Sequence, residues 1–490
     1  MKLTVLACML AVLSLWRGVI SPGETLGPAP GSLLVMTAEV TDRAATVWVR
    51  GVDDDVPVTL EYSGLGAPEA AAVIALSPAH DLTGHARVEG LRPSTRYEYR
   101  VRQGEHVAVG SFLTAPAPDE AAPVRFLWSG DLGGAGHCRR VEDGYRIFPP
   151  MTARRPDFFL FVGDTIYADH FCAGPEFVPG NDFVARTADE FRRKHRYNRG
   201  DPALQQFFRT ASVYAIWDDH EVRNNFAGPH EPLMPAGREA FLDYFPVVSR
   251  WENPTQMYRR VRRGRLLELF ILDARQYRSA NREPDGPDKT MLGGAQLAWL
   301  LAGLRTSTAV WKVIVSSVPL GMYTGGPGAD AWSDTTFFGA PRRNGTGFTR
   351  ERDLILGTLR DLAIPDVVFI TGDVHHAELI RHQLSPDYAV HELIAGPLSA
   401  RQGHPRFLER SLRSRSLGGL GWADNFGEFA VGPDRLTVRI IDAAGTVRLT
   451  RVFRPAAREP DTTASRVEVG RGGFTGRSHR PPWSGSTVGS

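Results

Sequence analysis

Three separate apolar runs in this chain end in the same dipeptide, and that recurrence limits the folds open to it more than any other feature. They are Phe126-Leu-Trp-Ser-Gly-Asp131, Phe158-Phe-Leu-Phe-Val-Gly-Asp164 and Val367-Val-Phe-Ile-Thr-Gly-Asp373. A fourth run, Val213-Tyr-Ala-Ile-Trp-Asp-Asp219, leads directly into His220-Glu221. Each reads as a buried β-strand that delivers a carboxylate to its carboxyl-terminal end, the edge where ligand sites of α/β sheets lie. Four carboxylates gathered on one edge repel one another unless positive charge sits between them. Multivalent metal ions are the natural source of that charge.

At 490 residues the chain is long enough for two or more domains. Its hydrophobic content of 42% is that of a soluble globular protein, and a formal charge of +2 gives no argument for a nucleic-acid partner. Residues 1–22 open with Lys2 and a short apolar stretch, the layout of a secretory leader. No second apolar segment is long enough to span a bilayer, so no transmembrane anchor is expected. With export, Cys8 leaves with the leader. Cys138 and Cys172 remain, each shortly after a Gly-Asp turn, and are a disulfide candidate. A thiolate ligand to a metal is the rival reading.

From about 32 to 115, short apolar runs such as Ala45-Thr-Val-Trp-Val-Arg50 and Tyr97-Glu-Tyr-Arg-Val101 alternate at period two. That pattern predicts a small antiparallel β-sandwich, and Gly90 to Pro116 resembles the end of a fibronectin type III domain. A Pro/Ala-rich linker over 115–123 closes it. From 124 to 455, apolar runs alternate with helical segments over 182–196, 237–245, 294–304 and 349–362, which predicts an α/β layered domain. The Gly, Ser, Arg and Pro-rich stretch 456–490 reads as a disordered tail.

The chemistry concentrates after the strands. In Gly163-Asp-Thr-Ile-Tyr-Ala-Asp169, the glycine permits a sharp turn that aims Asp164 into the site. Tyr167 can ligate as a phenolate only to a strongly Lewis-acidic ion such as ferric iron. The alternative is that Asp164 caps the next helix and Tyr167 packs on the sheet. Asp219 is placed to ligate, while His220 suits proton donation to a leaving group or contact with phosphate. Asp218 and Glu221 can hold these groups in orientation. In Thr371-Gly-Asp-Val-His-His-Ala377, Asp373 and His375 share a face if the segment is extended, with His376 turned away. Asp131 adds a fourth carboxylate, followed by a glycine-rich loop that lacks a Walker ending.

These motifs resemble the PhoD-like alkaline phosphatases and phosphodiesterases of the metallophosphoesterase superfamily. The resemblance rests on Gly163-Asp-Thr-Ile-Tyr, Trp217-Asp-Asp-His-Glu, Leu272-Asp-Ala-Arg-Gln-Tyr-Arg278, Trp311-Lys-Val-Ile, Gly372-Asp-Val-His and Asn425-Phe-Gly, in order along residues 124–455. It implies a four-layer α/β/β/α core around a centre of iron and calcium. The implied ligands are Asp164, Tyr167, Asp219, Asp373 and His375, to which the strand-end pattern adds Asp131, with His220 catalytic. Asp218, Glu221, Asn224 and His376 are the implied supporting or phosphate-binding groups. Some members place an iron-binding cysteine after the first core strand. This chain has Ser129-Gly130-Asp131 there, so that thiolate is missing or comes from Cys138.

The implied activity is metal-dependent hydrolysis of phosphate monoesters or diesters, with a small phosphate ester or a phospholipid as substrate. A phospholipase D-like diesterase is the nearest alternative. A noncatalytic calcium-binding adhesion protein is the alternative of another class, and Tyr167, His220 and His375 argue against it because structural calcium sites use oxygen ligands. A metallohydrolase acting on amides would carry His-Glu-x-x-His or His-x-His-x-Asp-His, and neither motif occurs.

Overall fold

The computed structural model describes residues 33–456 apart from 67–68, 135, 248–252 and 329. The expected leader over 1–22 and all but the first residue of the expected tail lie outside the described residues.

Two mixed sheets face each other. In the first, which has nine strands, Val124–Ser129, Phe158–Val162 and Ser212–Ile216 run parallel at the centre. The antiparallel meander Asn425–Val431, Leu436–Asp442 and Val447–Phe453 adds on beside Val124–Ser129. In the second, seven-stranded sheet, Leu267–Ile271, Trp311–Val315, Val367–Thr371 and Ala389–Ile394 are parallel neighbours. The apolar alternation shows how the sheets stack. Leu267, Leu269 and Ile271 join the cluster shared with Phe158 and Leu160, while Phe270 turns the other way. There it meets Leu300 and Leu304 of helix Gly293–Thr306 and Ile355 and Leu359 of helix Thr349–Asp361. On the opposite outer face, Phe159 packs on Phe207 of helix Pro202–Thr210, and Phe161 on Phe245 just past helix Met234–Tyr244. The result is a four-layer α/β/β/α core, with all the parallel strands sending their carboxyl ends to one edge.

Residues 34–113 form two facing β-layers, but one layer is not separate from the core. Leu34–Ala38, Ala44–Arg50 and Thr83–Glu89 extend the nine-stranded sheet, joined where Ala38 pairs with Val213. The reason lies in the second apolar face of these strands. Val35, Val47 and Val49 pack against the four-stranded layer, whereas Met36 and Trp48 turn toward the core cluster. Trp48 donates its indole N–H to the Asp243 carbonyl at 2.7 Å.

Two local differences from the sequence reading have clear causes. The helix expected from 182 begins at Ala188, because Thr187 and Glu190 form a reciprocal capping box. Helix Pro202–Thr210 was not foreseen, although Asp201 caps it and Pro202 opens it.

Candidate metal centre

Each carboxylate-bearing strand stops one or two residues short of its aspartate, and after three of the four the backbone then turns left-handed. Asp131, Asp164 and Asp373 have φ of 63°, 49° and 71°, and His375 has 58°. An L-residue held there costs roughly 1–2 kcal/mol, and such costs gather at functional sites. Asp373 and His375 are therefore not on one face of an extended segment, as the spacing suggested. Strand Val367–Thr371 has already ended, and both lie in the bends before Ala377–Gln383. Gly163 (φ 87°) has no room for a side chain, since a Cβ would lie 2.5 Å from that of Asp218.

The turns converge. Ligand atoms of Asp131, Asp164 and His375 lie within 4.8 Å of one another, and so do those of Asp164, Asp219 and His220. Asp164 belongs to both groups. Tyr167 Oη is 2.9 Å from His375 Nε2, on the same side as Asp131. The other nitrogen of His375, Nδ1, lies 2.5 Å from the Arg401 carbonyl, which fixes the ring with Nε2 toward the carboxylates. Asp131 Oδ2 and Asp164 Oδ2 are buried without a hydrogen-bond partner, and Asp219 Oδ1, also without one, faces Arg275 Nη2 at 3.6 Å. Anionic oxygens are not left so unless a cation faces them. These bare oxygens, together with one imidazole and one phenol, form a donor set that fits metal ions.

The electrostatics agree. Burial, followed by the Asp218 charge, pushes Asp131 well above the usual carboxylate range. Burial with Asp219 does the same to Asp164, and burial with Asp330 to Asp373. Burial opposes a charge on His220, but Asp219 and Asp169 outweigh it and raise the ring to about 9. Burial lowers His375 to about 4, so its ring is neutral and able to ligate.

These shifts set a pH dependence for the metal-stripped protein. The folded pKa values of Asp131, Asp164 and Asp373 lie above the unfolded value of about 3.9. Their stabilising contribution is complete below that value and is lost as pH rises through the raised folded values. Urea midpoints of stripped protein are thus expected to fall as pH rises above the unfolded carboxylate value of about 3.9. Added calcium should restore stability more at higher pH, and midpoints that rise with pH would contradict the arrangement.

The other expected residues take distinct places. Glu221 accepts the Thr165 N–H at 2.6 Å and the Asp218 N–H at 2.8 Å, tying two carboxylate-bearing turns together. Asp218 is held by Arg275 Nε at 2.6 Å. Asn224 is exposed, and its backbone N–H donates to Asp169 at 2.8 Å. His376 is fully buried and engages the Val374 carbonyl and Glu378 rather than the carboxylates. Cys138 and Cys172 are bonded to each other, so Cys138 is not free to supply a thiolate.

Three site residues had no assigned role in the sequence reading. Asp169 Oδ1 lies 2.7 Å from His220 Nδ1. Arg275, with none of its side chain exposed, contacts Asp218, Asp219 and Asp330. Asp330 comes from the Gly-rich stretch 321–347, where no strand or helix pattern marks it.

A family model described as PhoD-like phosphatase matches residues 134–432. Alkaline phosphatase D of Bacillus subtilis (strain 168) is 27% identical over 344 residues, which cover 61% of this chain and 54% of that protein. The match thus spans about half the length of this curated relative. A solved structure of PhoD superposes with a TM-score of 0.70 at 20% identity, covering 89% of this chain and 90% of that one. A purple acid phosphatase from yellow lupin (Lupinus luteus) seeds gives 0.59 at 12% identity, covering 87% and 75%. Both structural likenesses concern the fold.

Proposed function

We infer that this chain, which belongs to the PhoD-like phosphatase family, is a metal-dependent phosphoesterase that hydrolyses phosphate monoesters or diesters. The observation that carries this reading is the convergence of Asp131, Asp164, Asp219, Tyr167 and His375, with Asp131 Oδ2 and Asp164 Oδ2 buried and unpartnered. In this reading Asp131, Asp164, Tyr167 and His375 would hold one ion, and Asp219 and Asp373 would serve a second beside Asp164. Ferric iron suits the phenol-bearing group and calcium the carboxylates. Such ions supply Lewis acidity toward phosphate oxygens and lower the pKa of an attacking water.

The chain's own groups do the rest. His220 stacks on Tyr167 with ring centroids 4.2 Å apart, and Asp169 occupies its Nδ1. Its Nε2 is then the atom that gives a proton to the departing alkoxide. The Asp164 side chain accepts the His220 backbone N–H at 3.2 Å, which sets the imidazole beside the carboxylates. Asn224, exposed beside Asp169, offers an amide to phosphate oxygens. In this reading 124–455 is the catalytic part, and the N-terminal β-layers, one of which continues the nine-stranded sheet, accompany it. The disulfide between Cys138 and Cys172 suits an exported protein.

Hydrolysis of aryl phosphate monoesters and diesters, lost on chelation and restored by added metal, tests this reading. Asp169→Asn is expected to lower kcat by roughly 10–100-fold with metal content unchanged. Unaltered turnover would remove the proton-donor role of His220.

A further inference from the structure

Three loops beside the centre are hydrogen-bonded into one platform. The chain that carries the Arg401 carbonyl also donates from Gly403 N–H to the His375 carbonyl at 2.6 Å. It then runs antiparallel to the segment near Tyr323, where Met322 pairs with Leu408 and Tyr323 N–H donates to the Phe407 carbonyl at 3.2 Å. Arg410 N–H reaches the Gly339 carbonyl at 2.9 Å and brings in the third loop. The platform thus begins directly behind His375.

Phe337, Phe338 and Phe407 stand on it, 57%, 61% and 48% exposed. Their rings pack on one another, with centroids 5.3–5.4 Å apart. Trp422, 69% exposed, stacks on His404 nearby in the chain fold, where Trp422 N–H donates to the Gly403 carbonyl. Contiguous aromatic surface held up to water on a fixed backbone marks an interaction site. Its charge is one-sided. Residues 401–415 carry five arginines and one acidic residue, Glu409. Glu409 is already taken by buried Arg352 at 2.6 Å.

We propose that this aromatic and arginine platform docks on the surface of an anionic phospholipid bilayer. Aromatic rings seat at the level of lipid headgroups, and arginines beside them pair with anionic ones. A soluble polyanion would use the arginines but has no need of three bared phenyl rings. Pairing of two copies through the same face would set arginines against arginines. The docking does not depend on the phosphoesterase reading, and it is measured without turnover.

The experiment is flotation of the full chain with vesicles of phosphatidylcholine alone and of equimolar phosphatidylcholine and phosphatidylglycerol. Binding to the anionic vesicles only, weakened by salt, is expected. The variant Phe337→Ser/Phe338→Ser/Phe407→Ser should lower the bound fraction roughly tenfold while turnover of a soluble aryl phosphate stays unchanged. Arg410→Glu/Arg413→Glu should also lower it. Equal flotation of wild type and the serine variant, or none with anionic vesicles, overturns the proposal. So does binding to soluble polyglycerol phosphate that is indifferent to the serine substitutions, or a dimer in gel filtration that those substitutions dissolve.

Discussion

Asp164→Asn is expected to reduce turnover of an aryl phosphate by roughly 10³-fold or more, about 4 kcal/mol in the barrier. Among the candidate ligands, this residue alone belongs to both groups of converging atoms. Its Oδ2 is buried and bare, while Oδ1 receives the His220 N–H. The amide is isosteric, and the left-handed turn that holds it is set by Gly163 and Glu221 rather than by its charge. The folded state should therefore persist, and with one buried charge fewer the metal-stripped variant should be at least as stable as stripped wild type. Bound metal should fall with activity. An enzyme that keeps its turnover and metal content would show that the convergence of carboxylates serves another purpose.

Arg275→Met should have the opposite signature, a large loss of stability. Arg275 contacts Asp218 and Asp330 at 2.6 Å and Asp219 at 3.6 Å, with none of its side chain exposed. Burial alone would lower its charge, yet the three aspartates hold it firmly protonated. Methionine fills the space but leaves three buried carboxylates without their counter-charge. Removing one partner of a buried ion pair costs about 3–5 kcal/mol. Denaturant midpoints of the stripped variant should drop accordingly, and the gap should narrow in excess calcium, since bound cations take over part of the neutralisation. Arg275→Lys keeps the charge without the planar fork and should fall between the two. A midpoint equal to wild type would mean that Asp218 and Asp330 are not charged in the folded protein.

The layout of the centre was legible because a β-strand ends where its apolar run ends, and a Gly-Asp there has few other uses. That logic singled out Asp131, Asp164 and Asp219, whose ligand atoms the fold gathers into two groups sharing Asp164, with no knowledge of the sheet order. It missed Arg275 and Asp330 for a physical reason. Their roles come from tertiary proximity across loops, and an arginine after a strand looks the same whether it faces water or three carboxylates. The strand Ala377–Gln383 was missed as well. Its polar members, Glu378 and His382, are buried in private hydrogen-bonded or ion-paired contacts, so no polar-out alternation signals it. The Asp373-x-His375 pair misled in a finer way. Spacing by two suggests extended backbone, but a pair of left-handed residues brings both groups into play by another route. The merging of the N-terminal strands into the first sheet was invisible because Trp48 and Met36 read equally well as sandwich core.

The most direct test is a metal titration of stripped protein, with bound metal and aryl phosphate turnover followed in the same samples. Calcium and ferric iron are added singly and together. Turnover near zero in stripped protein, rising in step with about two tightly bound ions per chain, is the expected result. Full turnover by protein verified to hold no metal would contradict the account.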